Sequence, residues 1–290
     1  MAYIISYDYL RLIQAGNLQQ LITSNPGVLS GIELSAQAEA ISYLKQKYET
    51  ADEFTETMLW TRNKVYNAFD RVYLDAPGYI AANTYYAEDL TTWNGKVYEC
   101  SNTTTGVFDP ALWMLLGTQG DMYYAAYPHP LFDVYNLYKE GDQVYWNGHI
   151  YTARRDSIVV TDSIQYRTYK NIPLPNVFPD APNSGSTYWE DNGAYSVPYD
   201  TDITDTDYWT KGDNRDQQMV LYMIDIALYH VHSRIAPNNI PQLRYDRYTN
   251  AIAWLKMCAE GNVTPNLPKI QPKEGHRIRY GGNIRNINTY

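Results

Sequence analysis

Apolar residues recur at three- and four-residue steps through Val220, Met223, Ile224, Ala227, Val231 and Ile235. That spacing puts them on one face of a helix, a face that must be buried. Pro237 and Pro241 bracket a short turn, after which Tyr248, Ile252, Leu255 and Ala259 repeat the spacing up to Gly261, a residue suited to ending a helix. Two helices so closely connected are expected to pack antiparallel. Near the N-terminus, Asp8–Leu12 and Leu18–Ile22 read as short helical turns. A longer helix begins at Ser30 or Ser35 and carries Leu34, Ala38, Ile41, Leu44 and Tyr48 as its stripe. Residues 49–71, with four threonines among scattered aromatics, fit neither period and stay open.

From about Asp75 to Arg215 the period changes to short aromatic and β-branched runs broken by Asn-Gly, Pro and Asp, the pattern of small antiparallel sheets. Within this segment Trp93-Asn94-Gly95-Lys96-Val97-Tyr98 recurs 53 positions later as Trp146-Asn147-Gly148-His149-Ile150-Tyr151. Each copy has an aspartate, Asp89 or Asp142, four positions before its tryptophan. Asn-Gly accepts positive φ at both turn positions, so each copy predicts a tight hairpin. A later tryptophan, Trp113 or Trp189, closes each unit, and Asp207-Tyr208-Trp209 ends the segment.

Charge follows the same boundary. Residues 75–215 hold 19 Asp and Glu against 8 Lys and Arg, a net of −11; the whole chain is −9, which leaves +2 elsewhere. Thirty tyrosines against five phenylalanines favour half-exposed strands and wet contact surfaces over a catalytic pocket. No apolar run reaches the roughly 18 residues of a membrane span, and Met1–Leu10 lacks the basic and apolar blocks of a secretory signal. Cys100 and Cys258 lie in segments of different character, so neither a disulfide framework nor a metal site is expected.

The second hairpin, Gly141-Asp142-Gln143-Val144-Tyr145-Trp146-Asn147-Gly148-His149-Ile150-Tyr151, resembles the small chitin-binding-type carbohydrate modules. The first copy departs from that pattern at Glu88, where the family has glycine. The resemblance implies a glycan platform at Trp93, Tyr98, Trp146 and Tyr151. The other reading makes these tryptophans the core of domains too small for any other core.

A second resemblance covers Tyr3–Tyr48 and Asp216–Pro268. Tyr43-Leu44-Lys45-Gln46-Lys47-Tyr48, the Ile-Ala-Leu-Tyr-His run at 226–230, Arg244-Tyr245-Asp246-Arg247-Tyr248, Ala251–Leu255 and Gly261 look like the neck proteins of Mu-like tailed phages. Those are head-to-tail connector or head-completion proteins. The resemblance implies an α+β chain: a helical bundle of phage connector type, with small antiparallel β modules inserted. It further implies a ring of about twelve copies under a portal protein, contacts with tail or further neck proteins, and DNA passing without sequence-specific readout. Localisation follows as the head–tail junction of a virion made in the host cytoplasm.

The expected organisation is therefore 1–74 and 216–262 as the connector domain, 75–215 as the insertion and 263–290 as a tail. That tail carries five Lys and Arg against one acidic residue. Arg277, Arg279, Tyr280, Arg285 and Tyr290 are its candidate contacts to a neighbouring subunit, the portal or the tail. No catalytic residue, cofactor or metal is expected. The acidic run Asp200–Asp207 lacks the terminal glutamate and rigid scaffold that glycoside hydrolysis needs, and its spacing is not that of a calcium loop. His230 and His232, two apart on a helix, point to different faces.

Overall fold

The computed structural model describes residues 3–14, 16, 19, 27–126, 129–133, 136–156, 178–180, 185–235 and 238–270. The chain divides into two compact units, one of residues 1–34 with 55–215 and the other of 35–54 with 216–290. A helical bundle with inserted β modules is not what forms: small antiparallel sheets dominate the architecture. The reason lies in the stretch whose period was ambiguous. Its β-branched and aromatic residues enter strands that organise the larger unit, so the sheets are the frame of that unit and not an appendage.

Helix α1 (Val28–Leu44) runs from the first unit into the second. Its buried positions are Ile32, Ala36, Ala40 and Leu44, steps of four, while Leu34 stays 48% exposed. Alanine adds little to a hydrophobic pattern yet allows close approach, and this moves the stripe away from Leu34, Ala38 and Ile41. The second unit continues through α2 (Thr50–Glu53). The single turn α3 (Gly185–Tyr188) belongs to the first unit, and α4 (Gln217–Ile235) and α5 (Gln242–Glu260) complete the second.

Asp216 starts α4 by accepting the Met219 amide at 2.8 Å. Met219, Val220, Met223, Ile224, Ala227 and Val231 are then buried, as their spacing requires, whereas Ile235 is 51% exposed. Helix α5 packs on α4 through Ala251, Leu255 and Cys258, a face turned by about one residue from Ile252 and Ala259. Gly261, at φ 90°, closes α5.

Strands form in the order β1 (Thr57–Leu59), β2 (Tyr66–Asn67), β3 (Arg71–Tyr73), β4 (Thr84–Tyr85), β5 (Leu90–Trp93), β6 (Lys96–Cys100) and β7 (Thr104–Thr105). The series continues with β8 (Trp113–Thr118), β9 (Met122–Ala125), β10 (Gln143–Trp146), β11 (His149–Ala153), β12 (Trp189–Ala194), β13 (Ser196–Val197) and β14 (Trp209–Lys211). Three sheets carry the unit, ordered β1-β3-β9-β14, β5-β6-β8 and β10-β11-β12, with the pairs β2-β13 and β4-β7 beside them.

These three sheets are one module built three times. In each, a tyrosine hydroxyl accepts the amide of the residue five positions earlier: Tyr66 from Thr61 at 2.8 Å, Tyr85 from Ile80 at 2.8 Å, Tyr138 from Asp133 at 2.7 Å. Four positions after the tyrosine an aspartate accepts the next amide: Asp70 from Asn67, Asp89 from Tyr86, Asp142 from Lys139. The residue before each aspartate, Phe69, Glu88 or Gly141, has positive φ. The third strand of each copy opens on a tryptophan set edge-on to that tyrosine, with Tyr66–Trp209, Tyr85–Trp113 and Tyr138–Trp189 at 5.1, 5.3 and 5.3 Å. A parallel contact at constant spacing, Leu59 to Tyr73, Gly78 to Thr92 and Leu131 to Tyr145, completes the match.

The copies are nested. The outer one places the whole first inserted copy in the turn between β3 and β9, and the second in the connection from β9 to β14. Outer and first inserted copies share a core that includes Trp60, Val72, Leu74, Val97, Leu116 and Trp209. The second has its own, built on Phe132, Tyr138, Val144, Tyr151 and Trp189. Each large side chain so buried stabilises by roughly 1.5–3 kcal/mol.

An N-terminal 3₁₀ turn, Ser6–Arg11, is tied to the end of this unit by charge. Asp8 serves it from the third position, accepting the Ile5 amide at 2.8 Å. Arg215, whose side chain is 0% exposed, reaches Asp8 at 2.8 Å, Asp213 at 2.8 Å and the Tyr3 carbonyl at 2.7 Å.

Candidate functional site

Comparison among the three copies separates aromatic residues that build the module from those that do not. The tyrosine–tryptophan pair is present in all three and is structural. The position of Trp93 and Trp146, four after the aspartate, is Leu74 in the outer copy, 1% exposed because an inserted copy replaces the turn. Only the two inserted copies keep the tight turn, with Asn94 and Gly95 at φ 50° and 75° and Asn147 and Gly148 at φ 48° and 86°. The position is apolar in every copy: Leu74 is part of the shared core and Trp146 packs against the core of the second inserted copy.

In the first inserted copy Trp93 is 40% exposed. One face of its indole stacks on Phe108 at 5.2 Å and 15°, and Phe108 stacks in turn on Trp113 at 5.5 Å and 23°. Tyr79 meets Trp93 edge-on at 5.7 Å, and Tyr98, half-buried on β6, meets Phe108 edge-on at 5.1 Å. The β4–β7 pair flanks this stack, with Tyr85 stacked on Tyr79 at 4.9 Å. Such a ladder holds Trp93 in one orientation without a polar anchor, as a flat apolar surface must be held if a ligand is to stack on it.

The second copy differs. Trp146 is half-buried, tilted against Phe178 at 5.3 Å, and its indole nitrogen is buried with no hydrogen-bond partner among the described residues. Tyr151 is 7% exposed and belongs to the module core. At the rim, His149 Nδ1 lies 2.9 Å from Asp191, and this contact holds the Asp191 carboxyl below the usual carboxylate range. Asn147 donates to Asp180 at 2.6 Å. The structure thus brings Trp93 and Tyr98 together around Phe108 but leaves Trp146 and Tyr151 largely covered. Phe108, Tyr79 and Phe178 were not singled out from the sequence, although a constant offset of 53 links Pro77 to Pro130 and Tyr85 to Tyr138 as well as the two Trp-Asn-Gly turns.

The acidic run has a local structural task. Asp202 accepts from the Thr204 amide at 2.9 Å and pairs with Arg62 at 3.2 Å, and Asp205 accepts the Asp207 amide at 2.9 Å. Arg62 also holds Glu99 at 2.8 Å. An open cleft of about 380 Å³ beside Tyr7 and Gly120 is lined by charges that are already paired, Lys211 with Asp121 at 2.6 Å and Arg11 within 3.9 Å of Asp213. Among the described residues no group of three His, Cys, Asp or Glu is placed to hold a metal ion, and no helix is long and apolar enough to cross a membrane.

The helical unit has its own polar lock. Glu39 accepts from His230 Nε2 and from the Tyr248 hydroxyl, both at 2.9 Å, and Tyr229 stacks on Tyr248 at 4.1 Å. Asp225 faces Arg247 at 3.6 Å and Arg244 at 4.0 Å; burial outweighs the two guanidinium groups and leaves its carboxyl above the usual carboxylate range. Tyr48 is buried and bridges to Lys269. The candidate tail contacts Arg277, Arg279, Tyr280, Arg285 and Tyr290 lie outside the described residues.

Compared with known proteins, the chain matches no family model and no curated sequence.

Proposed function

We propose that this chain is a structural virion protein, a head–tail connector that assembles with copies of itself between a portal and the tail and lines part of the DNA channel. The observation that carries the reading is the make-up of the helical unit. The end of the first stretch resembling neck proteins, Ser35–Tyr48, folds with the second, Asp216–Pro268, in one compact unit although about 160 residues of sequence separate them, while Tyr3–Leu34 belongs to the other unit. Several residues that carry the resemblance make contacts within it: His230 and Tyr248 on Glu39, Arg247 at 3.6 Å from Asp225, and Gly261 at the end of α5. The reading does not require a bundle as the whole fold. Sheets excess in acid, at −11 over residues 75–215, repel phosphate and suit a surface past which a duplex slides without adhering. Gold-labelled antibody on intact particles should decorate the junction of head and tail. Label confined to the tail tip or capsid exterior contradicts the proposal.

A second reading is favoured by one feature, the 40% exposure of Trp93 on its aromatic ladder. In it the first inserted copy is a glycan-binding module of the virion. Chitin oligomers should then quench tryptophan fluorescence in the native chain and fail to do so in Trp93→Ala; equal traces for the two proteins count against it.

A further inference from the structure

The three copies also align across their middle and last strands, and there one of them departs from the other two. Strand pairing sets Tyr123 opposite Lys211 in the outer copy, Tyr98 opposite Leu115 in the first inserted copy and Tyr151 opposite Asp191 in the second. Two residues before each tyrosine, and so on its side of the strand, stand Asp121, Lys96 and His149. In two copies these positions form a polar pair beside the tyrosine ring. Lys211 Nζ meets Asp121 at 2.6 Å and lies 5.8 Å from the Tyr123 ring, and His149 Nδ1 meets Asp191 at 2.9 Å with its ring stacked on Tyr151 at 6.1 Å. The first inserted copy has Lys96 and Leu115 in these places, and the pair is broken. Lys96 is exposed and has neither a hydrogen bond nor an ion pair among the described residues. Leu115 is 47% exposed.

The broken pair lies beside the exposed indole. Trp93 and Lys96 are paired directly across the β5–β6 turn, so their side chains share one face of the sheet, with Cβ atoms roughly 4.5–5.5 Å apart. Tyr98 and Leu115 continue that face. It combines a flat aromatic surface, held from behind by Phe108, with an aliphatic neighbour and one ammonium whose counter-charge the module does not supply.

We infer that the first inserted copy binds an acidic sugar, a pyranose bearing a carboxylate, with the ring stacked on Trp93 and the carboxylate paired with Lys96. The inference rests on the glycan-binding reading of this copy and adds the charge class of the sugar. A pyranose has an apolar C–H face to lay on the indole and a hydroxyl rim that stays hydrated. One carboxylate is what one ammonium can match, whereas a polyphosphate would meet the net −11 of residues 75–215. A carboxylate fixed to the stacked ring is positioned by the ring itself. It therefore costs less ordering than the flexible acidic side chain of a peptide.

The test titrates the full-length chain with cellobiouronic acid, digalacturonic acid and 3′-sialyllactose, each beside its methyl ester, which keeps the rings and removes the charge. Binding is followed by tryptophan fluorescence and by saturation-transfer NMR on the sugar. At least one acid should bind about twofold to fivefold more tightly than its ester, the range of an exposed charge pair, and the margin should shrink as salt is added. Lys96→Met should erase the margin and Lys96→Arg should keep it. Leu115→Asp, which rebuilds the pair found in the second inserted copy, should erase it as well while stacking on Trp93 persists. Lys96 and Leu115 are exposed, so the variants should fold, and circular dichroism checks this. Equal binding of acids and esters, lost in Trp93→Ala, overturns the inference and leaves the glycan reading standing. Binding of none of these sugars overturns it too, and chitin oligomers then decide the glycan reading separately. Tighter binding of the blocked peptide Glu-Tyr-Glu than of any sugar would assign the face to acidic peptides and equally overturn it.

Discussion

At the scale of single residues, Arg215 shows how a buried charge can be tolerated. Its guanidinium has two carboxylates and a carbonyl within 2.8 Å, so desolvation is offset by fixed partners. Truncation to alanine would leave Asp8, 3% exposed, without its main counter-charge. Arg215→Ala should therefore lower stability by about 3–5 kcal/mol in urea denaturation; a loss within the scatter of surface substitutions contradicts the pairing. Glu33, on α1, has the opposite setting. Burial pushes its carboxyl up to about 7, from an ordinary 4.5. Between those values the native state holds a proton that the unfolded chain has released, so its contribution is whole below pH 4.5 and is lost as pH rises through 7. The contribution is at most about 3 kcal/mol. In urea melts Glu33→Gln should remove this part of the pH dependence and gain on the native chain from pH 5 to 8; parallel profiles would place the titration elsewhere.

At the scale of elements, the limits of the sequence have physical causes. The buried face of α4 and both Asn-Gly hairpins are legible, because a helical stripe and a positive-φ turn are each set by a few consecutive residues. The third copy of the module is not, since its turn has been replaced by some forty-five residues and its closing tryptophan lies far downstream. Only hydrogen bonding reveals that Tyr66, Asp70 and Trp209 repeat Tyr85, Asp89 and Trp113. In the candidate site the same holds: Trp93 and Trp146 look equivalent in sequence, and their different exposure depends on where Phe108 and Phe178 pack. Since among the described residues the second inserted copy shares none with the central core, it should be separable. Replacing residues 129–194 by a short Gly-Ser linker is predicted to leave the rest folded, with a cooperative melt and a dispersed amide spectrum; collapse of the remaining chain would show that the copies depend on one another.

At the scale of the whole molecule, a single module has been used as frame and as cargo. The outer copy gave up its free turn and became a scaffold, while the inserted copies kept theirs and carry the exposed aromatic and apolar positions. The helical unit is held by the buried apolar faces of α4 and α5 and by the contacts of Glu39 with His230 and Tyr248. The most direct test of the connector assignment is electron microscopy of particles produced when this chain is eliminated, with the native chain supplied in trans as control. The account predicts heads that fail to join tails, restored by the native chain. Complete tailed particles in its absence would contradict it.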